Sequence, residues 1–277
     1  MRSEMAPVDG KLTVVVAAHK PYWMPGDDAY LPVWVNAARN GASVPDGWAR
    51  DDAGGAGAAD GAGDHISEKN AGFCELTALY WAWKHLDADW LGLAHYRRHF
   101  ATSRSRDVHG RVATGADLAN TLAKAPIILP KRRHYYVETN YSQYVHAHHE
   151  QDLTTTRAIL AESHPDYLAA YDASLRRRSG HRFNMFVMRR DYADEYCAWL
   201  FDVLFELERR LDMSTYGDYD RRVFGFVGER LMDPWIQTRM LPYVELPVVN
   251  LESQHWLRKG TNFLARKVTG GRLGNQH

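Results

Sequence analysis

The sequence predicts a single mixed α/β domain, and three observations predict it. Short apolar runs at 12–18, 90–94 and 126–130 have the length and content of strands buried on both faces of a parallel sheet. Amphipathic stretches of helical period lie between and after them. At 277 residues the chain is long enough to bury a sizeable core.

The first strand is Leu12 to Ala18, ending in His19 and Lys20. Residues 21–50 hold four prolines and three tryptophans without a clear period, and "DDAGGAGAADGAG" at 51–63 reads as a surface loop. Ser67 is placed to cap a helix running to about Leu86, apolar nearly all round. "WLGLA" and "PIILP" are central strands, and residues 140–178 read as a polar helical insertion. A strand at Phe183–Met188, a long amphipathic helix from about Tyr192 to Leu211 and a last strand at Val244–Val249 follow. One domain over 1–250 and a basic tail over 251–277 are expected.

Lys plus Arg and Asp plus Glu each total 34, so functional charge must be local, and a nucleic-acid coat protein is disfavoured. Cys74 and Cys197 lie in apolar segments, which suits free thiols in a reducing compartment. The first apolar run is too short for a signal peptide, and no stretch reaches the roughly 20 apolar residues of a spanning helix. The expected location is cytoplasmic. The tail, with Trp256, Leu257, Phe263 and Leu264 among its cations, is a candidate peripheral contact with the inner membrane face.

Charge gathers where strands end. His19 and Lys20 follow the first strand, His95, Arg97 and Arg98 the second, and Lys131, Arg132, Arg133 and His134 the third. Open α/β sheets bind ligands beyond the carboxyl ends of their strands, and paired guanidinium groups match phosphate oxygens, so a diphosphate is the expected guest. "DHISEKN" adds Asp64, Lys69 and Asn70 beside a helix N-terminus, where anions are favoured and a carboxylate can accept from a base or ribose.

"DHISEKNAGFCELTALYWAWKH", "GLAHYRRHF", "FNMFVMRRDYADEYCAWLF" and "GFVGERL", in that order between about Val14 and Trp235, resemble a bacterial capsular and exopolysaccharide biosynthesis family catalogued as domain of unknown function 4422. The resemblance implies a GT-A-like glycosyltransferase with one Rossmann-like sheet flanked by helices. It implies a nucleotide-diphosphate sugar as donor, with uridine diphosphate the expected carrier, and a growing surface polysaccharide or lipid-linked glycan as acceptor. Many such enzymes close a central strand with an Asp-any-Asp motif that holds a divalent metal. Here "HYRR" stands in that place, so cations rather than a metal are expected to neutralise the diphosphate. Asp87 and Asp89 precede their strand, and Asp218 and Asp220 fall in a loop. By the same analogy Asn184 contacts the sugar.

Transfer requires a stabilised leaving diphosphate and an acceptor hydroxyl that loses its proton. Arg97, Arg98 and Lys131 suit the first task, and Glu229 and Asp152 are the candidates for the second. "VHAHHEQD" keeps a rival open: a metal-dependent hydrolase using His146 and His149. "KRRHYY" keeps another open, non-catalytic nucleic-acid binding, which the zero net charge and the lack of a known module disfavour.

Overall fold

The computed structural model describes residues 8–40, 44–54 and 63–252; the basic tail beyond Glu252 lies outside the described residues. In chain order the strands and helices are β1 (Leu12–Ala18), β2 (Tyr30–Trp34), α1 (Ala37–Asn40), β3 (Ala49–Arg50), α2 (Asn70–Phe73), α3 (Leu76–His85), β4 (Trp90–His95), β5 (Arg98–Phe100) and α4 (Gly115–Leu122). They continue with β6 (Ile127–Pro130), β7 (Arg133–His134), α5 (Asn140–Val145), α6 (Glu150–Ser163), α7 (Pro165–Arg176), β8 (Ser179–Gly180), β9 (Phe186–Arg189), α8 (Arg190–Arg210), α9 (Val223–Thr238), β10 (Val244–Leu246) and β11 (Val248–Asn250).

The main sheet is mixed, flanked by helices, and runs β10-β6-β9-β4-β1-β2-β3, with β5 turning back from β4 to pair with β11. β1 is parallel to β2 and β4, and β6 to β10, whereas β9 runs antiparallel to both of its neighbours. That inversion has a consequence for the site: the amino end of β9 lies at the same edge as the carboxyl ends of β4 and β6.

Strand alternation divides the core into two layers. Val15 and Ala17 of β1 join Leu91, Phe186, Leu200 and Trp235 under the large helical layer. Val14 and Val16 face the opposite way, onto Val187, Ile128 and Leu118 beneath α4. The β1 run therefore reads as continuously apolar because both of its faces are covered. The helical stretch expected over 140–178 is α5 to α7, whose α7 packs along α9.

Several local expectations were corrected. Ser67 does not cap a long helix. Its hydroxyl donates to Asp51 Oδ1 at 2.5 Å and accepts from the Ala38 amide. Asp51 is fully buried and also accepts from the Asn36 and Ala37 amides and the Thr77 hydroxyl, so one carboxylate ties α1, the 67–69 turn and α3 together. The long helix is interrupted at Cys74, whose φ of +53° ends α2 before α3 begins. The Phe183–Met188 strand starts later, at Phe186, because Phe183 and Asn184 adopt φ of +78° and +54°. The last strand is split at Pro247, which has no N–H to donate to a ladder. Residues 21–50 contain β2, which the central Pro32 obscures in the sequence.

Candidate active site

Two adjoining cavities open at the carboxyl edge of β1 and β4. The first, about 560 Å³, lies between His19 at the end of β1, the α2 segment from Asn70 to Glu75, and Asp218, Arg221 and Arg222. The second, about 230 Å³, is walled by Arg98, Arg133, Tyr135, His148, Phe183 and Glu229. Both share Cys74, Glu75, His95, Arg97 and Arg222.

The abrupt end of the β4 apolar run delivers Arg97 and Arg98, and the turn before α9 delivers Arg222. Arg97 is half-buried, with its Nε lacking a partner among the described residues and its Nη1 3.7 Å from Glu252. Arg98 lies over the Phe183 ring at 4.5 Å, and burial followed by the Arg97 charge lowers its pKa. Arg222 donates from Nε to Cys74 Sγ at 3.3 Å. Neither Arg98 nor Arg222 has a carboxylate within 4.0 Å among the described residues. Glu75 acts on both arginines, and Glu229 on Arg98, only from beyond contact distance, and half-buried guanidinium groups without a contacting carboxylate are costly unless an anion joins them. Burial, with Arg98 and then Arg97 beside it, pushes the His95 imidazole down to about 2, so His95 is neutral; its buried Nδ1 has no partner among the described residues.

The kink at Cys74 points Glu75 into the cavities. Asn184 Nδ2 donates to Glu75 Oε1 at 2.8 Å and to the Gly225 carbonyl at 3.1 Å, while Asn184 Oδ1 is buried without a partner. Burial raises the Glu75 pKa, and the Glu229 charge adds to the rise. The close approach depends on two glycines of α9. A Cβ at Gly225 would stand 3.2 Å from Cys74 Sγ, and one at Gly228 3.1 Å from Asn184 Oδ1. Positive φ at Cys74, Phe183 and Asn184 concentrates backbone strain on this wall, as functional sites often do. Burial pushes the Cys74 thiol up to about 11, so it is not a thiolate nucleophile at neutral pH.

Of the residues singled out in the sequence, the structure brings His19, Asn70, His95, Arg97, Arg98, Asn184 and Glu229 to this region. Burial, then Lys20 and Arg97, lowers the His19 pKa, and Asn70 holds the kink through Nδ2 bonds to the Cys74 carbonyl and Thr77 hydroxyl. Glu229 Oε2 accepts from Arg230 at 3.0 Å.

The others lie elsewhere. Lys20 is exposed, 4.8 Å over the Tyr22 ring. Asp64 accepts from Tyr80 and pairs with Lys84, and Lys69 pairs with Glu208 at 2.5 Å. Lys131 is exposed, and Arg132 is tied to Asp233 and Glu245, which leaves Arg133 as the cation of that run on the cavity wall. Asp152 is buried, accepts from the phenols of Tyr144 and Tyr216 at 2.7 and 2.5 Å, and lines neither cavity. Glu75 and Arg222 were not anticipated. The first is hidden in an unbroken helical pattern, and the second in the charge run "DYDRR".

The residues present do not fit a metal on the diphosphate. Where an Asp-any-Asp motif would close β4 stand His95, Arg97 and Arg98, and of the 218–220 pair only Asp218 lines a cavity. Asp220 instead faces His148 and His149 at 3.4 and 3.5 Å. Among the described residues no group of three His, Cys, Asp or Glu is arranged to hold a metal. His146 pairs with Glu138 and His149 stacks on Tyr216, so the cluster expected of a hydrolase has different partners.

Compared with solved structures, the chain is similar to WbbM, a bifunctional glycosyltransferase in its apo form. The TM-score is 0.76 at 27% identity, over 88% of this chain and 46% of that one. This chain therefore spans less than half the length of that neighbour. The fold is that of a glycosyltransferase of the GT-A-like type. The chain belongs to the family described as Domain of unknown function (DUF4422), whose profile matches residues 13–240. No curated protein matches significantly.

Proposed function

We propose that this chain transfers a glycosyl group from a nucleotide-diphosphate sugar, uridine diphosphate being the expected carrier, to a growing surface polysaccharide or a lipid-linked glycan. The observation that carries the reading is the gathering of Arg97 and Arg222 on the wall shared by the cavities, with Arg98 beside them in the second, and with no carboxylate within 4.0 Å of Arg98 or Arg222 among the described residues. In the reaction the bond from the sugar to the diphosphate breaks and the acceptor oxygen forms the new glycosidic bond. The guanidinium groups take up negative charge on the leaving diphosphate. The acceptor hydroxyl loses its proton to a carboxylate, either Glu75, held by Asn184, or Glu229, held by Arg230. No step is routed through a metal.

A panel of nucleotide sugars, assayed by thermal shift and by release of nucleoside diphosphate without acceptor, tests the reading. At least one donor should raise the melting temperature by mass action and be hydrolysed slowly. A broad panel that does neither overturns it.

A further inference from the structure

The segments "KRRHYYV" and "RRRSG" are far apart in sequence and meet in one ribbon. β7 and β8 pair antiparallel, Arg133 opposite Gly180 and His134 opposite Ser179. The Tyr135 amide donates to the Arg178 carbonyl at 2.9 Å, and Arg178 Nη1 donates to the Tyr136 carbonyl at 3.2 Å. Lys131, Arg133, Arg176, Arg177 and Arg178 are all exposed along it. None has a carboxylate within 4.0 Å among the described residues, whereas Arg157 and Arg189 pair with Asp172 and Asp191. The nearby Glu138 is occupied by His146.

At the tip of this cationic ribbon stand two apolar side chains. Tyr136 is 83% exposed and Val137 84%, and the φ of +57° at Tyr136 helps to project them. At this exposure the two side chains gain little from burial on folding. A projecting apolar tip beside exposed cations that have no carboxylate within 4.0 Å among the described residues is the pattern of a segment that enters the headgroup layer, cations on lipid phosphates and apolar atoms at the acyl boundary. A nucleic-acid strand would want a groove with a run of stacking faces, whereas here the segment projects and the exposed Tyr136 ring is followed by the aliphatic Val137.

We infer that the β7–β8 ribbon docks this protein on an anionic phospholipid bilayer, with Tyr136 and Val137 inserted and Arg176, Arg177 and Arg178 among the cations on the headgroups. Arg133 and Tyr135 of the same ribbon line the second cavity, so docking brings that cavity to the bilayer. The benefit for a lipid-linked acceptor rests on the proposed transfer; the docking itself does not.

The test uses the full chain sedimented with vesicles of phosphatidylcholine alone or mixed with phosphatidylglycerol. The wild type should bind the anionic vesicles, release from them as salt rises, and ignore the neutral ones. Each cation near the surface is worth about fivefold in binding, so the double variant Arg176→Glu with Arg177→Glu should bind at least about 25-fold more weakly. Tyr136→Asn with Val137→Ser should also weaken binding, with Asn suited to the left-handed backbone. Both double variants should keep the wild-type melting temperature and nucleoside-diphosphate affinity, which separates loss of docking from loss of fold or donor site. Equal vesicle binding by wild type and both variants overturns the inference, as does no vesicle binding by the wild type, with or without retention on DNA.

Discussion

Replacing Glu75 by Gln separates catalysis from binding at this site. The substitution keeps shape, and its amide oxygen can still accept from Asn184 Nδ2, which now reaches Glu75 Oε1 at 2.8 Å. What is lost is the ability to take a proton. General base catalysis contributes about 10²–10⁴-fold, so kcat should fall by that factor, equivalent to about 2.7–5.5 kcal/mol of barrier. Donor affinity should be unchanged or slightly stronger, because a negative charge beside Arg222 and Arg98 disappears while the cations remain. Burial holds the Glu75 pKa above its ordinary value, so the acid limb of the wild-type kcat profile should lie above that of a free glutamate and vanish in the variant. The assay is steady-state transfer across pH beside calorimetric affinity for the nucleoside diphosphate. A variant that keeps its rate refutes the role of Glu75, and if Glu229→Gln then loses rate and pH limb, the base is Glu229. A parallel loss of affinity and rate would instead make Glu75 a binding residue.

Other expectations follow from groups that the site does not use. Asp152→Ala strands two buried phenols, Tyr144 and Tyr216, and should cost about 3 kcal/mol of stability in denaturant titration without changing nucleotide affinity. Burial lowers the His99 imidazole to about 4, so the unfolded chain takes up its proton near pH 6.5 and the folded protein only below about 4. Stability should therefore fall as pH drops through that window, by up to about 3 kcal/mol from this group. His99→Phe, between the Trp23 and Tyr30 rings, should flatten the slope. Nucleoside-diphosphate affinity should survive EDTA; loss on chelation and recovery with manganese would make Asp218 and Asp220 ligands.

What was legible in the sequence was whatever ended a pattern sharply. The β1 and β4 runs stop in charged residues because a strand buried on both faces leaves the sheet at its ligand edge, so His19, His95 and the arginines were visible. Glu75 was not. Its placement follows from one positive φ at Cys74 and from room made 150 residues later by Gly225 and Gly228, neither of which disturbs helical periodicity. Lys69 and Asp64 looked like anion and ribose contacts by helix-end rules, but those rules do not see Glu208 or Lys84 arriving from other helices. Lys131 and Arg132 sat in the right run and were claimed by solvent and by Asp233 and Glu245, leaving Arg133 on the cavity.

The central claim is that Arg97 and Arg98 hold a diphosphate, and nucleoside-diphosphate affinity measured beside melting temperature for Arg97→Ala and Arg98→Ala tests it most directly. Each variant should lose about 1.5–3 kcal/mol of affinity, the range for hydrogen bonds to charged groups, roughly ten- to hundredfold. Melting should hold or rise, since removing either guanidinium relieves a like-charge pair, and Lys should restore affinity only in part. Folded variants with wild-type affinity, or variants that melt far lower and bind normally while folded, would contradict the account.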